Sequence, residues 1–150
     1  MYHGIVKRIA ARNFERVNEG DYGPLLASCA PNIHHRFGGS HALGGERHDK
    51  GALRRWFERL GRVGPGLTLI IRDIWVKGGP WDTYVIIRWD AREQLPDGSA
   101  YLNHGVHIVH MKWFRIMDID ANEDSQAVAE SMPVRAAAGI EEALAAPIVS

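Results

Sequence analysis

YLNHGVHIVHMKWFRIMDIDANED, residues 101–124, reads as two strands joined by a tight turn. Val106, Ile108 and Val109 favour extended backbone, as do Ile116 and Ile119. The turn falls between Lys112 and Arg115. With Phe114 and Arg115 at its centre, His107 lies opposite Asn122. With Trp113 and Phe114 there, Lys112 pairs with Arg115 and His107 lies opposite Asp120. Side chains alternate along a strand, so either register puts Tyr101, Asn103 and His107 on one face with Asp118, Asp120, Asn122 and Asp124. A three-residue loop would exchange the faces. The opposite face of the second strand, Met117, Ile119, Ala121 and Glu123, is the more apolar one. Two readings follow. The acidic face meets water, or it lines a polar pocket in which a carboxylate orients His107 and raises its pKa.

Composition limits what surrounds this hairpin. A chain of 150 residues with 45% hydrophobic and 24% charged residues suits one globular domain with a substantial core. Its formal net charge is +0, with no long basic run. That argues against nucleic acid or an anionic membrane as partner. A single cysteine, Cys29, excludes an internal disulfide and a cysteine-based zinc site. No signal-peptide pattern and no apolar run of ~18 residues is present, so a soluble, cytoplasmic protein is expected.

Outward from the hairpin, Tyr2 to Asn18 reads as an amphipathic helix stopped by Gly20. Asp21 can cap a short second helix, which Pro31-Asn32 ends. An extended segment, Ile33 to Phe37, leads into the glycine-rich loop Gly38–Gly45. That loop lacks the lysine and hydroxyl of a phosphate-binding loop. Asp49 caps a third helix, expected to end before Gly61, with Leu53, Trp56, Phe57 and Leu60 as its core stripe. Strands follow at Leu67–Lys77 and Trp81–Gln94, with turns at Gly78-Gly79-Pro80 and Pro96-Asp97-Gly98. After the hairpin a last helix starts at Asp124 or Ser125. Pro133 is expected to interrupt it, leaving residues 133–150 as an Ala-rich tail outside a domain of residues 1–132. Helices followed by a strand meander indicate an α+β fold whose curved, mostly antiparallel sheet wraps the N-terminal helices as a cone. The open end of such a cone is a natural ligand pocket.

The ordered set NEGDYGPLLASCAPNIHHRFGG, HDKGALRRWFERL, GGPWDTYVIIRW, NHGVHIV and IMDIDANEDSQAVAE resembles the NTF2-like superfamily, in its SnoaL-like (polyketide cyclase-like) branch. The resemblance spans about Val6 to Met132. It implies an NTF2-like/cystatin-like cone, commonly homodimeric, in a superfamily that includes aldol cyclases, ketosteroid isomerase and limonene epoxide hydrolase. In the SnoaL-like enzymes an acid on the last strand acts as base, with a histidine on the strand before it. Asp120 or Asp124, with His107, would match. The isomerase's base falls near Arg36 or Phe37, neither a carboxylate, which argues against steroid isomerisation. The hydrolase relay has no assignment, although Arg88 and the aspartates keep it open.

Several residues have plainer roles. Asp124 stands where an N-cap belongs. His104 and His110 are about 20 Å apart on a strand rising ~3.3 Å per residue, and His107 points away from both, so they hold no common metal. His34, His35 and His41 are closer, but adjacent strand residues face apart. No metal site and no cofactor are expected. Trp56, Trp75, Trp81 and Trp89 suit a core, some at the pocket edge, and Cys29 suits inert packing.

The resulting expectation is a small-molecule pocket. His107, Asp120 and Asp124 are the catalytic candidates. His35, Phe37, Trp56, Trp89, Tyr101, Asn103 and Asn122 are the ligand contacts. The chemistry expected is cofactor-independent isomerisation, cyclisation or lysis of a hydrophobic carbonyl compound by proton abstraction. The alternatives are a non-catalytic binder of a small hydrophobic molecule and a homodimeric interaction domain.

Overall fold

The computed structural model describes all residues from Met1 to Ser150. Four helices, α1 (Tyr2–Asn18), α2 (Gly23–Ser28), α3 (Lys50–Val63) and α4 (Ser125–Ala137), accompany six strands. The strands are β1 (Cys29–Phe37), β2 (Gly45–Arg47), β3 (Thr68–Gly79), β4 (Asp82–Gln94), β5 (Ala100–Lys112) and β6 (Arg115–Glu123). They form one open sheet in the order β2-β1-β6-β5-β4-β3. Every neighbouring pair is antiparallel except β1 and β6. This is the expected α+β cone. No helix is long and apolar enough to cross a membrane.

Local chemistry explains the layout. α1 puts its apolar stripe on β3. Its end is tied down by Asn18, whose side-chain amide donates to the Leu69 carbonyl at 2.9 Å and accepts from the Leu69 N–H at 2.8 Å. That covers part of the exposed edge of β3. Asp49 caps α3 by accepting from the Ala52 N–H at 2.8 Å. α3 runs past Gly61 to Val63, longer than expected. Gly61 is needed for close packing, since a Cβ there would lie 2.8 Å from the Tyr22 hydroxyl. α2 begins after Tyr22 without a side-chain cap, although Asp21 accepts from the Gly23 N–H at 3.3 Å.

Two further expectations are corrected. Pro31 lies inside β1, which begins at Cys29. Pro133 does not interrupt α4, which continues to Ala137. Packing outweighs the lost backbone donor there. Arg135, one turn-half beyond the proline, is buried against Glu93 at 2.8 Å and donates to the Val63 carbonyl at 2.9 Å. The Ala-rich segment then folds onto α3 and β2. Ala143 is buried, Glu142 pairs with Arg59 at 2.9 Å and Arg62 at 2.6 Å, and Arg47 reaches the Ile148 carbonyl at 2.7 Å.

Candidate functional site

The inner face of the sheet and helices α1, α3 and α4 enclose a cavity of about 220 Å³. Of its 34 lining residues 26 are hydrophobic, so a few polar groups must orient any occupant. Those with chemistry to offer are His35, His107, Tyr101, Asn103 and Arg135, and no carboxylate is among the lining residues.

His107 sits mid-way along β5, opposite Ile87 of β4. Two residues on, Trp89 faces Gly105. A Cβ on Gly105 would come within 2.6 Å of the Trp89 ring and 2.4 Å of the Asn122 carbonyl. The missing side chain lets the indole lie across the strand, where its N–H donates to His107 Nδ1 at 2.6 Å. Two strands away on the same face of the sheet, His35 on β1 pairs with Arg47 on β2. The Arg47 Nε–H donates to His35 Nδ1 at 2.9 Å. Arg47 is itself fully buried and donates further to the carbonyls of Gly44, Gly45 and Ile148.

Indole and guanidinium groups can only donate. Each histidine therefore accepts at Nδ1 and, when neutral, carries its proton on Nε2. Neither Nε2 has a partner within the chain. Burial keeps both rings neutral. His107 is pushed down to about 4 by desolvation, against a small opposing pull from Asp120. His35 is driven well below the usual range by burial first, then by the charge of Arg47 and by His107 and His34. The cavity thus holds two neutral imidazoles that present N–H donors, with their basic lone pairs already used.

Tyr101 and Asn103 line the same cavity. Asn103 is largely spent on architecture. Its amide donates to the Tyr101 hydroxyl at 2.9 Å and the Asp124 carbonyl at 3.1 Å, and its oxygen accepts from the backbone N–H of Asp124 and His104. Desolvation raises the Tyr101 pKa, keeping its hydroxyl protonated. Arg135 stacks over the Tyr101 ring at 5.1 Å while paired with Glu93.

Of the residues expected from sequence, His35, Phe37, Trp56, Trp89, Tyr101, Asn103 and His107 come together around the cavity. Asp120, Asn122 and Asp124 do not. The turn is Trp113-Phe114, with φ of 51° and 63°, and Lys112 pairs with Arg115 as one register required. Met117 is then an extra residue in β6: Met111 pairs with Ile116 but His110 with Asp118. This bulge exchanges the faces of the rest of β6. His107 meets Ala121, while Asp120 meets Ile108 on the outer face and binds Arg36 at 2.7 Å. Asn122 accepts from Arg36 at 3.1 Å. Asp124 is the cap of α4, accepting from the Ala127 N–H at 3.2 Å. Sequence reasoning missed Arg47 and Gly105. The only signal for Arg47 was strand alternation in Glu46-Arg47-His48, and for Gly105 a glycine inside a strand.

The profile of the SnoaL-like domain matches residues 10–119. Among solved structures, the chain is similar to Bal32a, from a soil-derived mobile gene cassette, at 18% identity and a TM-score of 0.72, covering 83% of this chain and 94% of that one. It is similar to an NTF2-like protein of unknown function from Burkholderia pseudomallei at 14% identity and a TM-score of 0.71, covering 83% and 95%. It is also similar to TerC, co-crystallized with polyporic acid, at 16% identity and a TM-score of 0.66, covering 84% and 95%. At these identities the likeness speaks for the fold. No protein of curated function matches the sequence.

Proposed function

The chain belongs to the SnoaL-like domain family, and on that premise we propose that its cavity takes a hydrophobic small molecule by a carbonyl or similar acceptor oxygen. The observation that carries this reading is the pair of imidazoles whose Nδ1 atoms are capped by Trp89 and Arg47. Their Nε2–H groups, in an apolar surround, suit an oxygen on which negative charge is held or develops. Binding and polarisation are favoured over proton abstraction, because no carboxylate lines the cavity and both imidazole lone pairs are engaged. Isomerase, cyclase or lyase chemistry remains the alternative. It requires a base that the occupant brings or that a tautomer change releases.

A titration of ¹³C-carbonyl cyclic ketones, observed by NMR in deuterated buffer, tests the reading. A downfield carbonyl shift on binding is expected, with affinity about tenfold weaker in His107→Phe, as for one lost hydrogen bond. Parent hydrocarbons binding as tightly as the ketones would sink it. Protein-dependent deuteration beside the carbonyl would move the reading to proton abstraction.

We also propose a homodimer through the outer face of the sheet. Trp75, Ile86 and Ile108 form one lateral row there, and Trp75 is 50% and Ile108 38% exposed. Light scattering should give twice the chain mass for the native protein and the single mass for Ile108→Glu.

A further inference from the structure

On the side of the sheet opposite the cavity, we infer a binding site for a divalent transition-metal ion of the zinc class, built from His34, Glu46 and His48. The β1–β2 ladder sets it up. His35 pairs with Arg47 and Arg36 with Glu46; just past the end of this ladder the His34 and His48 rings stack at 4.8 Å, with Glu46 beside His34 on the same face. Their ligand atoms all lie within 4.8 Å of one another. His34 Nε2 is already 3.5 Å from a Glu46 carboxylate oxygen. Tetrahedral bonds of ~2.1 Å need donor atoms about 3.4 Å apart. The widest pair therefore has to close by roughly 1.4 Å at most. The Glu46 side chain is 52% exposed, which leaves it free to make that adjustment.

The second observation is how the two rings are held. His34 Nδ1 is 2.5 Å from the Asp118 carboxylate, and His48 Nδ1 is 2.6 Å from the backbone oxygen of Ser150. Both partners can only accept, so each ring donates from Nδ1 and, when neutral, keeps its lone pair on Nε2. A carboxylate behind a ligating imidazole is the arrangement that orients such rings at metal centres. The Asp118 partner is supplied by β6, where it lies opposite His34. Two imidazoles and one carboxylate suit zinc, cobalt or nickel better than magnesium or calcium. They leave a fourth position for water. The ion would clamp β1 to β2 from outside, behind His35, which lines the cavity.

The test is calorimetric titration of the chelator-treated full chain with Zn²⁺, alongside the visible spectrum of the Co²⁺ form. One ion per chain is expected, with the intense absorption of a four-coordinate Co²⁺ site. Affinity should fall at least about 100-fold in His34→Gln and His48→Gln and roughly tenfold in Asp118→Asn. His110→Gln, which removes a histidine paired with Asp82 elsewhere on the same face, should bind as the native chain does. Saturating Zn²⁺ should raise the unfolding midpoint by roughly 5–10 °C in the native chain and not in His48→Gln. Weak or non-stoichiometric binding, or binding that survives loss of His34 and His48, would overturn the inference.

Discussion

His34 and His35 are adjacent on one strand and face opposite sides of one sheet, yet their surroundings give them opposite chemistry. His35 looks inward, accepts from a buried guanidinium and has its pKa driven down. His34 looks outward, donates to Asp118 and has its pKa raised, chiefly by that hydrogen bond. The same contrast holds for their neighbours. His107 accepts from an indole, and His48 sits beside a backbone oxygen. What separates the two faces is whether the partner at Nδ1 is a donor or an acceptor. That choice sets which proton the ring keeps and what its far nitrogen can do.

The largest break in this contrast should come from Arg47→Met. The substitution keeps the apolar stem but orphans His35 Nδ1 and three backbone carbonyls that Arg47 now satisfies inside the protein. Each orphaned buried group costs about 1–3 kcal/mol before relaxation. A net loss of roughly 4 kcal/mol is expected in urea unfolding, within the range for breaking a buried network.

Next in size is a pH effect. His107 titrates near 4 in the folded chain and near ~6.5 unfolded. Between those values the unfolded chain binds the extra proton, so the contribution is fully present above ~6.5 and is lost as pH falls toward 4. It amounts to about 3 kcal/mol. His35 acts with the same sign. His34 acts with the opposite sign: its contribution is present below ~6.5 and is lost as pH rises through its raised pKa. Stability against pH in native and His107→Gln proteins isolates the first effect, and the variant should show a shallower acid slope. An unchanged slope would mean that His107 is hydrated rather than buried.

A smaller effect sharpens the geometry. Gly105→Ala places a methyl within 2.4 Å of the Asn122 carbonyl and 2.6 Å of Trp89. Overpacking of this kind costs about 2 kcal/mol. It should also push the indole off His107, so the His107 resonances should titrate at a higher pH in the variant.

How far the faces were legible in the sequence depends on one residue. Helix stripes, the Asp49 cap and the strand meander follow from periodicity and turn chemistry, which act locally. The partners of His107 do not. Both turn readings put it with the aspartates, and one of them identified the turn correctly, but the extra residue at Met117 reversed every side chain beyond it. No feature of Ile116-Met117-Asp118 announces a bulge; the ladder with β1 is irregular at the same place, with Ile116 opposite Cys29 and Asp118 opposite His34, and that contact is distant in sequence. Arg47 was hidden for a similar reason. A charged residue on a three-residue strand reads as exposed until the carbonyls of Gly44, Gly45 and Ile148 are seen around it.

The smallest expected effects belong to the two acids that the sequence made most prominent. Asp124→Ala should cost about 1 kcal/mol, the ordinary value of a helix cap. Asp120→Asn breaks an ion pair with Arg36 whose side chains are 36% and 41% exposed, so solvent screening holds its loss below about 1 kcal/mol. Neither variant should alter ketone affinity measurably, because neither carboxylate reaches the cavity. Deuterium exchange into a bound ketone that disappears in Asp120→Asn would contradict the register of β6. It would require Met117 to return to the ladder, which turns Asp120 inward toward His107 and recovers the acid–histidine pair. The mutation thus tests the bulge itself, since a carboxylate one residue out of register lies on the other side of the sheet.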